Sequence, residues 1–432
     1  MGFRRVVARI ILLLVVASVG FASGKGEQGS ASNAGPVTLK WLMFSTEEES
    51  FVWKNIAKLG STSKVTVVPE FTSWTDYWDQ LLVRLSSDEQ LDLIGMQNLR
   101  MPTFAERHAL LPLDDLVASD KFDLSVYFKT MVDAMSSNGK LYGLPWDFGP
   151  LMLFYNKTLF DKYNVPYPSS DPSKWTWDAF LDAAKKLTHQ SAGAGDTDTW
   201  GFFAPPELDR GMYGFILEGG GDLQDPSMRK ATLNTPQVVK AMQFYDDLIN
   251  KYHVAPPLTD TRNANATGEQ WPTGNYAMMQ EGTWMIQEFA RTAKSFNWDI
   301  ALLPAGPDGS QSFVAGSGYS ITAKTKHKKE AWEALKAMAG TDAEIYIAQN
   351  RSYPALKLAV PTFEKRYAGL SLPLIPKQQE SARAFKTRST FQEAWTTMAP
   401  IWDKMFLHQT SVEDGLNQIN QIYQKTLDES WK

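Results

Sequence analysis

The chain has 432 residues, of which 43% are hydrophobic and 21% charged, with a formal net charge of −5. This length exceeds the ~250 to 300 residues at which a single core usually divides, so two domains are expected, and the ordinary globular composition argues against disorder. The acidic balance argues against nucleic acid or an anionic membrane as partner, and the absence of cysteine excludes disulfides, thiolate metal sites and a cysteine nucleophile.

The N-terminus has the pattern of an export signal. Three arginines within the first nine residues precede an apolar run over residues 10–19. Gly20 and Ala22 place small side chains at the two positions that a signal peptidase inspects, which predicts a cleaved signal peptide over 1–22. The alternative is an uncleaved membrane anchor, but this run is about half the ~20 apolar residues that a spanning helix needs.

The segment 23–36 (SGKGEQGSASNAGP) is rich in Gly, Ser and Ala and has no periodic apolar face, which predicts a flexible leader. Loss of the signal and its three arginines makes the exported chain three charges more negative. With no cysteine to carry a lipid anchor, a freely diffusing periplasmic or secreted protein is predicted.

The mature chain begins with alternating strands and helices. Short apolar runs predict strands over 37–44, 64–71 and 91–96. Helices are predicted between them over 47–59, with Phe51, Ile56 and Leu59 facing inward, and over 76–85. This alternation indicates an α/β lobe with a parallel sheet.

Later segments are largely helical. Thr176 is a suitable N-cap for a helix with Trp177 on its apolar face, and Pro236 stands at the first position of another. Two further helices are predicted over 329–339, closed by Gly340, and over 411–427.

Familiar catalytic motifs are missing. The stretch 315–318 (AGSG) lacks the Gly-x-Ser-x-Gly spacing, and the triplet 219–221 is not followed by the Lys-Ser or Lys-Thr of a phosphate loop. No two histidines stand four residues apart, which argues against a zinc site. Glycoside hydrolysis needs only two facing carboxylates, and 48 Asp and Glu residues leave that alternative open.

Aromatic side chains are abundant, with 15 Trp, 15 Tyr and 23 Phe. Trp74, Trp146 and Trp284 stand in polar or turn-like sequence, where a role in binding competes with a role in the core. A sugar ring has an apolar face and a hydroxyl rim, and therefore suits flat aromatic rings combined with Asp, Asn, Gln and Arg. Trp177 and Trp332 stand at helical spacing and are predicted to be core residues.

Five segments in a fixed order carry a family resemblance: 139–160 (GKLYGLPWDFGPLMLFYNKTLF), 231–248 (ATLNTPQVVKAMQFYDDL), 274–284 (GNYAMMQEGTW), 316–321 (GSGYSI) and 353–357 (YPALK). Together they resemble the maltose-binding-like group of extracellular sugar-binding proteins of ABC importers, over nearly the whole mature chain. The resemblance implies a two-lobed α/β fold of the periplasmic-binding-protein type, with three hinge crossovers and a ligand cleft between the lobes.

The resemblance also implies boundaries. Lobe one would comprise 37–147 plus 301–340, and lobe two 148–300 plus 341–432. The crossovers would lie near 146–150, 298–302 and 340–344.

Residues of the cleft follow from the same resemblance. Met96 stands where the family often has a tryptophan, so the aromatic platform expected there is missing. Together with Trp74, the ligand-binding candidates are Ser45, Glu47, Gln97, Asn98, Arg100, Trp146, Asp147, Arg210, Tyr213, Trp284, Tyr319, Arg351 and Trp395.

The sequence therefore predicts a non-enzymatic solute-binding protein. It would capture a mono- or oligosaccharide by closing its lobes and deliver it, as a monomer, to the membrane subunits of an ABC transporter. No cofactor, metal or nucleic acid is expected. The alternative function is that of a secreted glycoside hydrolase with a carboxylate pair.

Overall fold

The computed structural model describes residues 36–190, 199–205, 207–259 and 266–431. Its strands are β1 (Val37–Phe44), β2 (Val65–Thr72), β3 (Leu93–Gln97), β4 (Ser136–Ser137), β5 (Lys140–Leu141), β6 (Leu144–Asn156), β7 (Met278–Gly282), β8 (Trp298–Ala301), β9 (Ser312–Ile321) and β10 (Ala382–Ala384).

The helices surround these strands. They are α1 (Ser50–Leu59), α2 (Trp74–Ser86), α3 (Met101–Glu106), α4 (Asp114–Asp120), α5 (Lys129–Ala134), α6 (Lys157–Lys162), α7 (Trp177–Leu187), α8 (Tyr213–Glu218), α9 (Pro236–Asn250), α10 (Ala266–Gln270), α11 (Ile286–Thr292), α12 (Lys328–Met338), α13 (Thr341–Asn350), α14 (Val360–Arg366), α15 (Leu374–Glu380), α16 (Phe391–Phe406) and α17 (Val412–Ser430). A π-helical turn over Leu208–Met212 precedes α8, and a 3₁₀ turn over Thr283–Met285 follows β7.

The strands form a mixed sheet in the order β2-β1-β3-β9-β6-β7, with β10 paired to β9 and β8 paired to β6. β1 is parallel to β2 and β3, as the alternation of strands and helices predicts. β9 runs antiparallel to β3 and β6. The long strand β6 pairs with β9 through its first half and with β7 and β8 through its second, so it connects two parts of the molecule.

Two hydrophobic cores flank the sheet. The first includes side chains of β1, β3, α1 and α12, and the second includes α7, α8, α9, α16 and α17. Strand β6 serves both: Met152 and Phe154 belong to the first core, whereas Leu151, Leu153 and Tyr155 belong to the second. This division follows from the geometry of a strand, in which successive side chains point to opposite faces.

Most of the predicted elements are confirmed within one to three residues. Trp177 and Trp332 are buried, as their helical spacing predicts. The inward orientation of Phe51 is wrong: the side chain is 53% exposed. Helix α1 instead buries the face that carries Val52 and Ile56, one helical turn apart.

The predicted signal peptide (1–22) and the leader up to residue 35 lie outside the described residues. Among the residues that the structure does describe, no helix combines the length and apolar character required to cross a membrane. Within the same ranges, no group of His, Cys, Asp and Glu side chains is arranged to hold a metal ion.

Candidate functional site

A cavity of about 360 Å³ lies where β1, β3, β6 and β9 end or bend. Eight of the residues predicted from the sequence line it: Ser45, Trp74, Gln97, Trp146, Asp147, Arg210, Trp284 and Arg351. The lining also includes residues that the sequence did not indicate: Phe44, Thr46, Glu49, Asp209, Met285, Gln287, Glu288, Ala315, Gly316 and Ser317. Segments far apart in sequence therefore meet at one site.

One wall of the cavity is aromatic. Trp74 is the first residue of α2 and is 44% exposed, although its ring meets Phe44 edge to face at 4.8 Å. Helix α2 begins there because Ser73 accepts a hydrogen bond from the backbone N–H of Asp76, which is an N-cap. An exposed tryptophan fixed by a neighbouring ring presents a flat apolar surface to the cavity.

Arg351 is held between two tryptophans. Its Cζ atom lies 4.6 Å from the ring centroid of Trp146 and 4.8 Å from that of Trp53. Its Nη1 lies 3.2 Å from Asp147 Oδ2, and its Nη2 lies 3.3 Å from Glu49 Oε2. Cation–π contacts and two carboxylates therefore fix the guanidinium from several directions.

The backbone behind Arg351 is anchored by a buried acid. Glu344 in α13 is fully buried, and its Oε2 accepts hydrogen bonds from the backbone N–H groups of Ala355 and Leu356 at 2.8 and 3.1 Å. Burial raises the pKa of Glu344 well above its usual range. The loop after α13, which begins with Arg351, is therefore fixed on the body of the protein.

Asp147 stands at an irregularity of β6, where the pairing with β9 shifts between Pro145 and Asp147. Its Oδ1 accepts a hydrogen bond from the backbone N–H of Ser317 at 3.0 Å. Burial raises the pKa of Asp147 to about 6, against the opposing effect of Arg351. The shift of register turns the carboxylate toward Arg351 and the cavity.

Arg210 lies in the π-helical turn before α8 and also lines the cavity. Its Nε is 3.6 Å from Glu207 Oε2 and 3.8 Å from Glu281 Oε2. Glu281 is fully buried in β7, and its charge raises the pKa of Arg210. Gln280 Nε2 donates to the carbonyl oxygens of Arg210 and Gly211, which fixes the turn against β7.

Trp284 lies in the 3₁₀ turn after β7, and its partly buried ring also packs against the second core. The indole covers the backbone of Gly282: a Cβ atom at this glycine would stand 2.1 to 2.2 Å from three of its ring carbons. Only a residue without a side chain allows this approach. One face of the indole thus packs on Gly282, and the same side chain lines the cavity.

Residues 45–345 match the sequence model of a family described as bacterial extracellular solute-binding protein. The chain belongs to this family. The matched range includes most of the cavity lining, and Arg351 lies six residues beyond it.

Similar proteins agree with this assignment. The arabinooligosaccharide-binding protein of Halalkalibacterium halodurans is 25% identical over 63% of this chain and 59% of its own length. That of Bacillus subtilis is 23% identical over 78% of this chain and 75% of its own length. A solved ABC substrate-binding protein from Listeria monocytogenes, in complex with cycloalternan, has a TM-score of 0.81 at 20% identity and covers 91% of this chain and 99% of its own. The predicted two-lobed α/β fold is confirmed.

Three predicted residues at the edge of the site lie outside the cavity lining. Glu47 is exposed in the turn before α1, and Glu49, two residues later, supplies the carboxylate that contacts Arg351. Arg100 places its guanidinium over the ring of Trp78 at 4.6 Å. Asn98 is buried and pairs with the backbone of Gly316.

The other three lie within the cores or pack against one of them. Tyr319 is on the same face of β9 as Ser317 but deeper, and its fully buried ring packs behind Trp146 at 6.2 Å. Tyr213 is buried and donates its hydroxyl to Asp222 at 2.9 Å. Trp395, in α16, packs against the second core. In this conformation, none of the three rings reaches the described cavity lining.

Proposed function

We propose that this solute-binding protein captures a carbohydrate between its lobes and delivers it to an ABC import permease without transforming it. The observation that carries the proposal is the convergence of Trp74, Trp146 and Trp284 with the Arg351–Asp147 pair on one cavity. The sugar ligands named for the similar proteins support it.

The lining matches the chemistry of a sugar. Flat rings suit the apolar face of a pyranose or furanose, and the side chains of Gln97 and Asp209 can exchange hydrogen bonds with its hydroxyl groups. A volume of about 360 Å³ lies within the usual range for small-molecule sites.

The balance of charge favours an uncharged ligand. Arg351 contacts Asp147 and Glu49, and Arg210 is near Glu207 and Glu281, so both cations already face carboxylates of the protein. An anionic ligand would have to compete with these carboxylates, whereas hydroxyl groups can bind the remaining donor and acceptor positions.

Hydrolysis of a glycoside is the alternative. Asp147 has the raised pKa that a general acid requires. Both of its oxygens already have partners, because Oδ1 accepts from Ser317 N and Oδ2 contacts Arg351. A carboxyl group held in this way positions the groups that contact it and is not placed to donate a proton to a substrate, which supports the binding function.

The test is a thermal-shift and calorimetric screen of the protein against arabino-, malto- and gluco-oligosaccharides. We expect stabilisation that grows with free ligand as RT ln(1 + [L]/Kd), and recovery of the intact oligosaccharide after long incubation. If no member of the panel stabilises the protein, the carbohydrate proposal is wrong. Cleavage products that disappear with Asp147→Asn would establish the hydrolase instead.

We also propose the setting in which this happens. The pattern of residues 1–22 supports cleavage and export to the periplasm or the medium, where we propose that the protein acts as a monomer without a lipid anchor. The lobes are proposed to be 37–147 plus 301–340 and 148–300 plus 341–432, an assignment that the passage of β6 between two sets of paired strands supports. Mass spectrometry of the exported protein tests the cleavage site.

A further inference from the structure

Asn98 is hydrogen-bonded to the wall of the cavity without being part of its lining. It follows Gln97, the last residue of β3, which does line the cavity. The side chain of Asn98 is buried, since the residue is 2% exposed. Its partner Gly316, in β9, belongs to the lining. Any influence of Asn98 on a ligand must therefore pass through Gly316.

The contact between Asn98 and Gly316 continues the pairing of β3 with β9. In an antiparallel ladder, two opposite residues can exchange a pair of N–H···O bonds. The backbone N–H of Asn98 donates to the carbonyl oxygen of Gly316 at 3.1 Å, and the backbone N–H of Gly316 donates to Asn98 Oδ1 at 3.2 Å. The side chain thus supplies the second acceptor, and this atom must be its oxygen because a backbone N–H can only donate.

The backbone around Gly316 is irregular on both strands. Its φ is +157°, and a Cβ atom at this residue would stand 2.2 Å from the carbonyl oxygen of Asp147 and 2.8 Å from the Cα of Phe148. Only glycine allows β9 to approach β6 so closely. On β6, the register shift leaves Trp146 as an extra residue at the same place, which disrupts the regular ladder. The contact with Asn98 therefore fixes a segment that regular strand pairing does not.

Gly316 is joined to the polar groups of the cavity through its neighbour. The backbone N–H of Ser317 donates to Asp147 Oδ1 at 3.0 Å, and Asp147 Oδ2 lies 3.2 Å from Arg351 Nη1. Ser317, Asp147 and Arg351 all line the cavity. A movement of Gly316 therefore displaces the N–H group that holds Asp147, and Asp147 in turn helps to hold Arg351.

Stability alone does not account for an asparagine at position 98. Among the residues that the structure describes, none hydrogen-bonds to the buried Asn98 Nδ2. A buried donor without an acceptor lowers stability, and an apolar side chain of the same size would avoid that loss. Such a side chain would, however, leave the N–H of Gly316 without the oxygen that it now contacts. The contribution of the asparagine is therefore the position of Gly316.

We propose that Asn98 is a positioning residue of the binding site, which fixes the backbone of Gly316 and through it the carboxylate of Asp147 without touching the ligand. The inference rests on the proposed function, because it takes the cavity to be the place where the ligand binds. The position of Asp147 is nevertheless a property of the unliganded protein, so it can be measured apart from binding.

The pKa of Asp147 reports on this arrangement. Burial raises it to about 6, and the charge of Arg351 and the N–H of Ser317 oppose this rise. The ionisable side chains around Asp147 are Arg351, Glu49, Glu344 and Tyr319. An uncharged substitution at Asn98 leaves these groups in place, so it acts through the position of the Ser317 N–H. When that hydrogen bond weakens, the carboxylate is less stabilised and the pKa of Asp147 rises.

The experiment compares Asn98→Leu, which keeps the size of the side chain and removes its oxygen, with Asn98→Asp, which keeps an oxygen toward Gly316. Asn98→Ala tests the same loss of the oxygen if the leucine variant does not fold. The matched control is Asn156→Leu. Asn156 is 1% exposed, accepts a hydrogen bond from the backbone N–H of Leu159 at 3.1 Å, and is not part of the described cavity lining.

Two quantities are measured on each folded variant. The pKa of Asp147 is obtained by carboxyl NMR titration of the unliganded protein, with Asp147→Asn to identify the signal, and affinity by calorimetry with the oligosaccharide panel. Asn98→Leu should raise the pKa of Asp147 and weaken binding about tenfold, because it weakens a hydrogen bond to a charged group. Asn98→Asp should bind nearly as well as the unsubstituted protein. Asn156→Leu should lower stability and change neither quantity.

An unchanged pKa of Asp147 in the leucine and alanine variants, or an equal change in Asn156→Leu, would refute the positioning role. A raised pKa with unaltered affinity would also refute it, as would equal losses of affinity in Asn98→Asp and Asn98→Leu. If the pKa rises as expected but no sugar of the panel binds the unsubstituted protein, the failure belongs to the carbohydrate function and not to the positioning of Asp147.

Discussion

The contact between Gly282 and the indole of Trp284 allows the position of this ring to be changed without removing it. A Cβ atom at residue 282 would lie 2.1 Å from the indole Cη2. Carbon atoms in contact stand about 3.5 to 4.0 Å apart, so Gly282→Ala must displace the ring by more than about 1 Å. The backbone itself tolerates alanine, since its φ of −81° and ψ of 154° are ordinary extended values.

The size of the effect follows from the role of the ring. Stacking of a sugar on the indole buries apolar area worth roughly 1 to 3 kcal/mol at about 25 cal/mol per Å². Trp284→Ala should therefore weaken ligand binding about ten- to hundredfold, because each ~1.4 kcal/mol is tenfold in affinity. Gly282→Ala should cause a comparable loss although the tryptophan is still present. The double variant should be no weaker than Trp284→Ala alone, because both changes act on one ring.

The assay is a double-mutant cycle in which affinity is measured by calorimetry and unliganded stability by denaturant titration. In the Trp284→Ala background the clash is absent, so Gly282→Ala should leave stability unchanged or raise it by about 0.4 to 1 kcal/mol. Additive losses of affinity would contradict a shared ring. A loss of about 3 to 5 kcal/mol in stability with unaltered affinity in Trp284→Ala would show that Trp284 is a core residue instead.

Three further predictions follow from the same structure. Burial raises the pKa of Asp147 from 3.8 to about 6, so ionisation of this carboxyl group opposes folding. The free energy of unfolding should therefore fall by about 2 kcal/mol between pH 4 and pH 7 relative to that of Asp147→Asn, and parallel denaturation curves for the two proteins would contradict this. Tyr319→Phe removes a buried hydroxyl group with no partner among the described residues, so stability and sugar affinity should be preserved or improved. A tenfold loss of affinity, measured by calorimetry, would show that Tyr319 contacts the ligand. Small-angle scattering should show a smaller radius of gyration at saturating ligand if the lobes close, whereas identical profiles would indicate a rigid binding module.

The sequence predicted the parts of the site that depend on local signals. Trp74 and Trp284 stand in polar or turn-like sequence, and both line the cavity. Elements with a clear period, such as the helix that begins after Thr176, were predicted almost to the residue. Arg351 was indicated by family resemblance alone, because its partners Glu49 and Asp147 are 302 and 204 residues away.

The remaining residues depend on geometry that a sequence does not express. Whether Glu47 or Glu49 faces the cavity is decided by where α1 starts, and Glu49 is its N-cap residue. Gln97 and Asn98 are chemically alike, yet Gln97 lines the cavity whereas the buried side chain of Asn98 accepts a hydrogen bond from the backbone of Gly316. Tyr319 lies on the expected face of its strand, but the ring of Trp146 packs against it and Tyr319 does not line the cavity.

The shared strand β6 has a consequence for any attempt to divide the protein. Its alternate side chains complete two different cores, so neither half of the chain contains a whole interior of its own. A fragment that ends before β6 would lack both β6 and β9 and would expose the edge of β3 and the first core to water. A fragment that begins after β6 would lose Leu151, Leu153 and Tyr155 from the second core. We therefore expect that separately expressed lobes aggregate, and that this solute-binding protein folds and unfolds as a single cooperative body.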